Sequence, residues 1–128
     1  MESLLTRSHV HAVQIYYEDT DHSGAVYHAN YLRYLERARE HMFGIEALVE
    51  LQRDRGIGFV VYKVEMTFKG AAHFGDALEV HSEASRESDY RLRVKQDVLR
   101  PADGATLVEG VVQLACVNAD GSLVPLPF

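Results

Sequence analysis

Asn30-Tyr31-Leu32-Arg33-Tyr34-Leu35-Glu36-Arg37-Ala38-Arg39-Glu40-His41-Met42-Phe43 is the stretch on which the fold turns. Its apolar residues Tyr31, Leu35, Ala38 and Met42 recur at helical spacing, and Arg33, Glu36, Arg37 and Glu40 fall on other faces. Asn30 is placed to cap this helix, and Gly44 stands where it should stop. A shorter helix over Glu46 to Gln52 follows, ended by Arg53-Asp54-Arg55-Gly56. Before the helix lies one strand, His9 to Tyr17, with Val13, Ile15 and Tyr17 on one face, and then the turn-rich run Asp19-Thr20-Asp21-His22-Ser23-Gly24.

Beyond the helices the period changes to two. Val60, Val64, Met66 and Phe68 alternate with Val61, Lys63, Glu65, Thr67 and Lys69. Leu78, Val80 and Ala84 alternate with Glu79, His81 and Glu83, and Tyr90, Leu92, Val94 and Val98 with Arg91, Arg93, Lys95 and Asp97. A turn at Pro101-Ala102-Asp103-Gly104 leads into a last strand, Ala105 to Val117, and Asn118-Ala119-Asp120-Gly121 turns the chain again. Short connections make these strands antiparallel. Their apolar faces need a common partner, and only one long helix is available. The expected architecture is α+β, an antiparallel sheet of about five strands wrapped around one long central helix, in a single domain over 1–128. The helix has a second side to cover, so a homo-oligomer is expected.

Composition narrows the function. A net charge of -6 argues against nucleic-acid binding, which needs a concentrated positive field, but a small anionic ligand needs only a local basic cluster. Cys116 is the only cysteine, so no internal disulfide forms and a reducing compartment is expected. Met1-Glu2-Ser3-Leu4-Leu5-Thr6-Arg7 lacks the apolar run of a signal peptide, and no stretch approaches a membrane span. A cytoplasmic, soluble protein is expected.

The run from Tyr16 to Leu32, Tyr16-Tyr17-Glu18-Asp19-Thr20-Asp21-His22-Ser23-Gly24-Ala25-Val26-Tyr27-His28-Ala29-Asn30-Tyr31-Leu32, with Leu35-Glu36-Arg37-Ala38-Arg39 after it, resembles the 4-hydroxybenzoyl-CoA thioesterase family, and within it the YbgC-type acyl-CoA thioesterase branch. The resemblance implies the hotdog fold, a homodimer or homotetramer, and active sites between paired subunits. It implies hydrolysis of acyl-CoA thioesters, with acyl carrier protein as another possible carrier, and no cofactor. It makes Asp21, the second Asp of Asp19-Thr20-Asp21, the catalytic carboxylate. Ala25 departs from the larger aliphatic residue of the branch, which implies a reshaped pocket floor, and the short carboxyl terminus at Phe128 implies fewer contacts there.

The chemistry suits these residues. Thioester hydrolysis needs a nucleophile, or a base for water, and stabilisation of negative charge on the carbonyl oxygen. Asp21 is ionised near neutrality and can serve in either role. Tyr27-His28-Ala29-Asn30 opens the helix, where free N–H groups and the helix dipole favour an oxyanion. The resemblance makes the His28 N–H the best donor and adds the His28 side chain as a catalytic candidate. Tyr27, Phe59 and Val60 are expected to line the substrate site. Arg86 and Arg91, with Arg93 and Lys95, are the candidates for the coenzyme A phosphates. Glu36 is a possible second carboxylate, although its arginine neighbours favour an ion pair. No metal is expected: His9 and His11 share a strand face and His22 follows Asp21, but no set of three ligands is evident. A hotdog hydratase or dehydratase and a non-catalytic acyl-CoA-binding subunit are the alternatives.

Overall fold

The computed structural model describes residues 7–128, and the amino-terminal segment read for a signal peptide lies, apart from Arg7, outside the described residues. The elements are β1 (Ser8–Gln14), a 3-10 turn (Tyr17–Asp19), α1 (Asn30–Phe43), α2 (Ile45–Arg55), β2 (Gly58–Phe68), β3 (Ala77–Arg86), β4 (Arg91–Arg100) and β5 (Ala105–Val117). The strands form one antiparallel sheet in the order β1-β3-β4-β5-β2. This is the hotdog arrangement. Residues Tyr31, Tyr34, Leu35, Ala38 and Met42 of α1 are buried against Leu78 and Val80 of β3, Leu92, Val94 and Val98 of β4, and Val112 and Leu114 of β5. Each large side chain removed from water in this way contributes about 1.5–3 kcal/mol before chain entropy is charged.

The helix lies close to the sheet because β5 carries Gly110 beneath it. A Cβ on Gly110 would stand 2.9 Å from the Gln96 carbonyl oxygen and 3.5 Å from Leu35 Cδ1. Gly44 ends α1 at φ +96, a conformation that L side chains rarely adopt, and its N–H donates to Glu40 O at 2.8 Å.

Several sequence expectations need correction. The first strand ends at Gln14, not Tyr17. The Ile15 N–H donates to Asp76 O, and the Tyr16 N–H donates to the Asp19 carboxylate, which bends the chain into the 3-10 turn and leaves Tyr17 exposed. Asn30 does not cap α1. Ala29 holds that position, and the Asn30 Nδ2 donates instead to Asp19 O at 2.9 Å. The second helix runs a turn further than expected, Ile45–Arg55. Tyr90 precedes β4 and is exposed.

In β2 the register shifts between Val61 and Lys63. Paired residues share a face, so this bulge puts Phe59, Val61, Val64, Met66 and Phe68 on the helix side, opposite Cys116, Leu114, Val112, Gly110 and Val108. Val60 faces outward, away from Phe59. β2 is also an edge strand, hydrogen-bonded within the sheet only to β5, and its Val60, Val61, Tyr62 and Phe68 are all more than 40% exposed.

Within the sheet face that meets the helix sit two polar side chains the strand pattern passed over, Ser82 and Gln96. Gln96 is 0% exposed. Its Nε2 donates to Leu35 O at 3.0 Å and to Ser82 Oγ at 2.9 Å, and its Oε1 accepts from Arg39 Nη1 at 3.1 Å. Arg39 itself is only 7% exposed.

Candidate active site

The loop between β1 and α1 carries the catalytic candidates, and backbone bonds to a second segment hold it in place. Thr20 and Val26 bridge across the loop, and Ala25 bridges to His73. The Val26 N–H donates to Ala72 O at 2.8 Å, and the Gly75 N–H donates to Ile15 O at 3.1 Å. The 72–76 segment is fixed in turn. Asp76 Oδ2 accepts from the His73 N–H and from Arg100 Nη1, and Arg100 also donates to Ala71 O. Tyr31 Oη accepts from the Ala72 N–H, which ties the segment to α1.

Asp21 sits at the tip of this loop. Its N–H donates to Ala25 O at 2.9 Å, and its backbone oxygen accepts from the Gly24 N–H at 3.0 Å. Its Oδ1 accepts from both the Ser23 N–H, at 2.8 Å, and the Ser23 hydroxyl. These two bonds hold the carboxyl below the usual carboxylate range, and the His22 and His28 charges act weakly in the same direction. The second oxygen, Oδ2, accepts no hydrogen bond among the described residues and is exposed to whatever approaches.

The start of α1 supplies donors next to it. Tyr27 N–H is used by Asp19 O, and the N–H groups of Asn30, Tyr31 and Leu32 close the first turns onto Tyr27, His28 and Ala29 carbonyls. Among the described residues, the N–H groups of His28 and Ala29 have no protein acceptor. They are the two free donors at a helix start, where the dipole also favours negative charge. The His28 ring is exposed and stacks at a tilt on Tyr27, centroids 4.8 Å apart, with the Phe68 ring edge-on at 6.1 Å. Asp21, Tyr27 and His28 are therefore brought together.

The other expected site residues lie elsewhere in the chain. Phe59 stacks on Phe43 at the opposite end of β2, nine residues from Phe68, a span of about 30 Å at strand rise. Val60 and Arg91 both oppose Ala115, so they share a row on the outward face of that same end. Arg91 lies over the Tyr62 ring at 4.9 Å, and Arg86 donates to the Phe128 carbonyl oxygen, with Asp89 at 3.8 Å. Lys95 pairs with Asp97. Glu36 makes no ion pair among the described residues. It lines an apolar pocket of about 250 Å³ with Phe43, Phe59, Val61 and Leu114.

Ser23, Phe68 and the 72–76 segment were not singled out in the sequence. Asp-x-Ser is a readable turn signal, whereas Phe68 looked like any inward strand residue, and nothing local marks 72–76 as the loop's anchor. No group of three or more His, Cys, Asp or Glu side chains that could hold a metal exists among the described residues, and no described helix is long and apolar enough to cross a membrane.

Comparison with known proteins gives a consistent picture. The thioesterase-like superfamily profile matches residues 16–127. Acyl-CoA thioesterase YbgC of Haemophilus influenzae is 36% identical over 121 residues, 91% of this chain and 85% of its own. Acyl-CoA thioester hydrolase YbgC of Escherichia coli is 34% identical over 111 residues, 83% of this chain and 79% of its own. A crystal structure of a probable thioesterase from Bartonella henselae superposes with a TM-score of 0.85 at 30% identity, covering 94% of this chain and 99% of its own. With the fold, the profile and these relatives in agreement, the chain belongs to the thioesterase-like superfamily.

Proposed function

We propose that this protein hydrolyses acyl-CoA thioesters to the free acid and coenzyme A, with Asp21 as the catalytic carboxylate and the His28 and Ala29 N–H groups as the oxyanion hole. The reading rests on one loop that carries both parts: a carboxylate with one oxygen left free and, seven residues on, two unclaimed helix-start donors, close enough that the His28 charge acts on the carboxylate. Asp21 either attacks the carbonyl or deprotonates water, and the developing oxyanion is met by fixed donors that need no reorganisation. The His28 ring stands beside these donors, where it can hold water or the leaving thiolate.

The active unit is a homodimer formed through the free edge of β2. Three facts support this: β2 is unpaired on one side, it exposes an apolar row, and Phe59 lies about 30 Å along β2 from Phe68, whose ring meets His28. A two-fold axis through the middle of β2 pairs the strand antiparallel with its copy. The Phe59 end of one protomer then meets the Phe68 end of the other, where that protomer's His28 and Asp21 stand. Tyr27, Phe59 and Val60 become parts of one shared site, and Arg86 and Arg91 become its basic flank for the coenzyme A phosphates. Acyl carrier protein is a second carrier that such an open flank admits. The lone buried Cys116 suits a reducing cytoplasm.

The test is thiol release from a panel of acyl-CoAs by wild type and Asp21→Asn. The variant should keep its fold and its affinity for coenzyme A while losing at least 100-fold in kcat. Near-wild-type turnover by Asp21→Asn on the best substrate overturns the assignment.

A further inference from the structure

We propose that Arg39 is a specificity residue: its guanidinium reads a neutral oxygen on the distal part of the acyl group. This rests on the proposed function, since it assigns the apolar pocket beside Phe59 to the acyl chain. Arg39 lies on the wall of that 250 Å³ pocket, whose other sides include Phe43, Ile57, Phe59, Val61 and Leu114. The volume is near the lower end of small-molecule sites, roughly 300 Å³, and suits an acyl group of modest length.

A guanidinium carries five N–H donors and no acceptor. Here it is 7% exposed and makes one hydrogen bond among the described residues, to Gln96 Oε1. Gln96 cannot turn away, because its own amide is held by Leu35 O and Ser82 Oγ. No ion pair among the described residues involves Arg39. The donors Arg39 leaves unclaimed are not among the buried polar atoms that lack a partner, so they reach open space, and the pocket it lines is where an acyl oxygen can accept from them.

The same pocket says which acceptor. Glu36 and Glu40 also line it. Two carboxylates against one guanidinium leave the pocket net negative, so an acyl group ending in a carboxylate is repelled. A ketone, hydroxyl or other neutral oxygen accepts from Arg39 without that penalty. The apolar walls hold the rest of the chain.

The experiment compares kcat/KM for hexanoyl-CoA, 5-oxohexanoyl-CoA and adipoyl-CoA in wild type, Arg39→Met, Arg39→Lys and Glu40→Gln. Each ratio is taken within one preparation, so loss of folded protein cancels, and a purely structural role for Arg39 would not move it. Wild type should favour the oxo chain over the plain chain by about 10-fold and handle adipoyl worst. Arg39→Met should bring the oxo preference close to one. Arg39→Lys, which keeps the charge if the methionine variant fails to fold, should retain part of it. Glu40→Gln should raise adipoyl turnover relative to hexanoyl. An oxo preference near one in wild type, or a preference unchanged by both Arg39 substitutions, overturns the inference while leaving the Asp21 result intact. Failure to hydrolyse any acyl-CoA overturns the proposed function and this inference with it.

Discussion

Replacing Gly110 with alanine tests the packing of α1 against the sheet. The added Cβ would meet the Gln96 carbonyl oxygen at 2.9 Å and Leu35 Cδ1 at 3.5 Å. Leu35 can shift by a few tenths of an ångström. The carbonyl cannot, because Gln96 and Gly110 are paired partners in the β4–β5 ladder. Overpacking of this kind costs about 1–3 kcal/mol. Against it stands a gain of roughly 0.5–1 kcal/mol, because alanine has less backbone freedom to lose on folding. The balance is a loss of roughly 0–2.5 kcal/mol, centred near 1.3, which for a chain of this size lowers Tm by about 5 °C. Thermal melts of wild type and Gly110→Ala, compared at one protein concentration, measure this. Adding Leu35→Ala should not restore the loss, because the closest contact is to backbone. A Tm for Gly110→Ala equal to or above wild type would refute the reasoning.

Two further outcomes follow from protonation chemistry. His11 stacks on His41 of α1 at 4.8 Å, with His9 beside it at 6.4 Å. Burial and then neighbouring positive charge, from His41, Arg7 and Arg37, hold the His9 and His11 rings below the ordinary imidazole value. The residues they oppose on β3, Ser82 and Val80, do not titrate. The folded state therefore binds fewer protons than the unfolded chain, so this contribution is complete above about pH 6.5 and is lost as pH falls below it. Denaturation midpoints should fall more steeply with acid in wild type than in a His9→Gln/His11→Gln variant; equal slopes would sink the idea. For catalysis, the Ser23 bonds that depress Asp21 predict that Ser23→Ala moves the acid limb of the kcat/KM profile to higher pH. An unmoved limb means that this carboxylate does not set it.

The sequence carried the fold well where one periodicity ruled. The end of α1 and both bounds of β5 were legible to the residue, because Gly44 and the Asp103-Gly104 and Asp120-Gly121 turns punctuate them. The reading failed where a local bond or an irregularity overrode the pattern. At Tyr16 the Asp19 carboxylate takes the chain out of the strand, and at Tyr62 one extra residue reverses the face of Val60. Gln96 broke the alternation of β4 unnoticed, because its partners come from Leu35, Arg39 and Ser82, far along the chain. In the candidate site, Asp21, Tyr27 and His28 were legible because they belong to one continuous motif. The placement of Phe59, Val60, Arg86 and Arg91 was not, since it depends on which strand becomes the sheet edge.

The clasp between residues 15–26 and 72–76 has a practical meaning for protein engineering. The Asp21 loop is not a portable cassette. Its ends are stitched to Ala72, His73 and Asp76, which Arg100 and Tyr31 hold in turn. Anyone grafting this motif onto another scaffold would have to transplant two stretches of chain and the arginine that staples the second. The segment with no chemistry of its own is the jig that holds the tool.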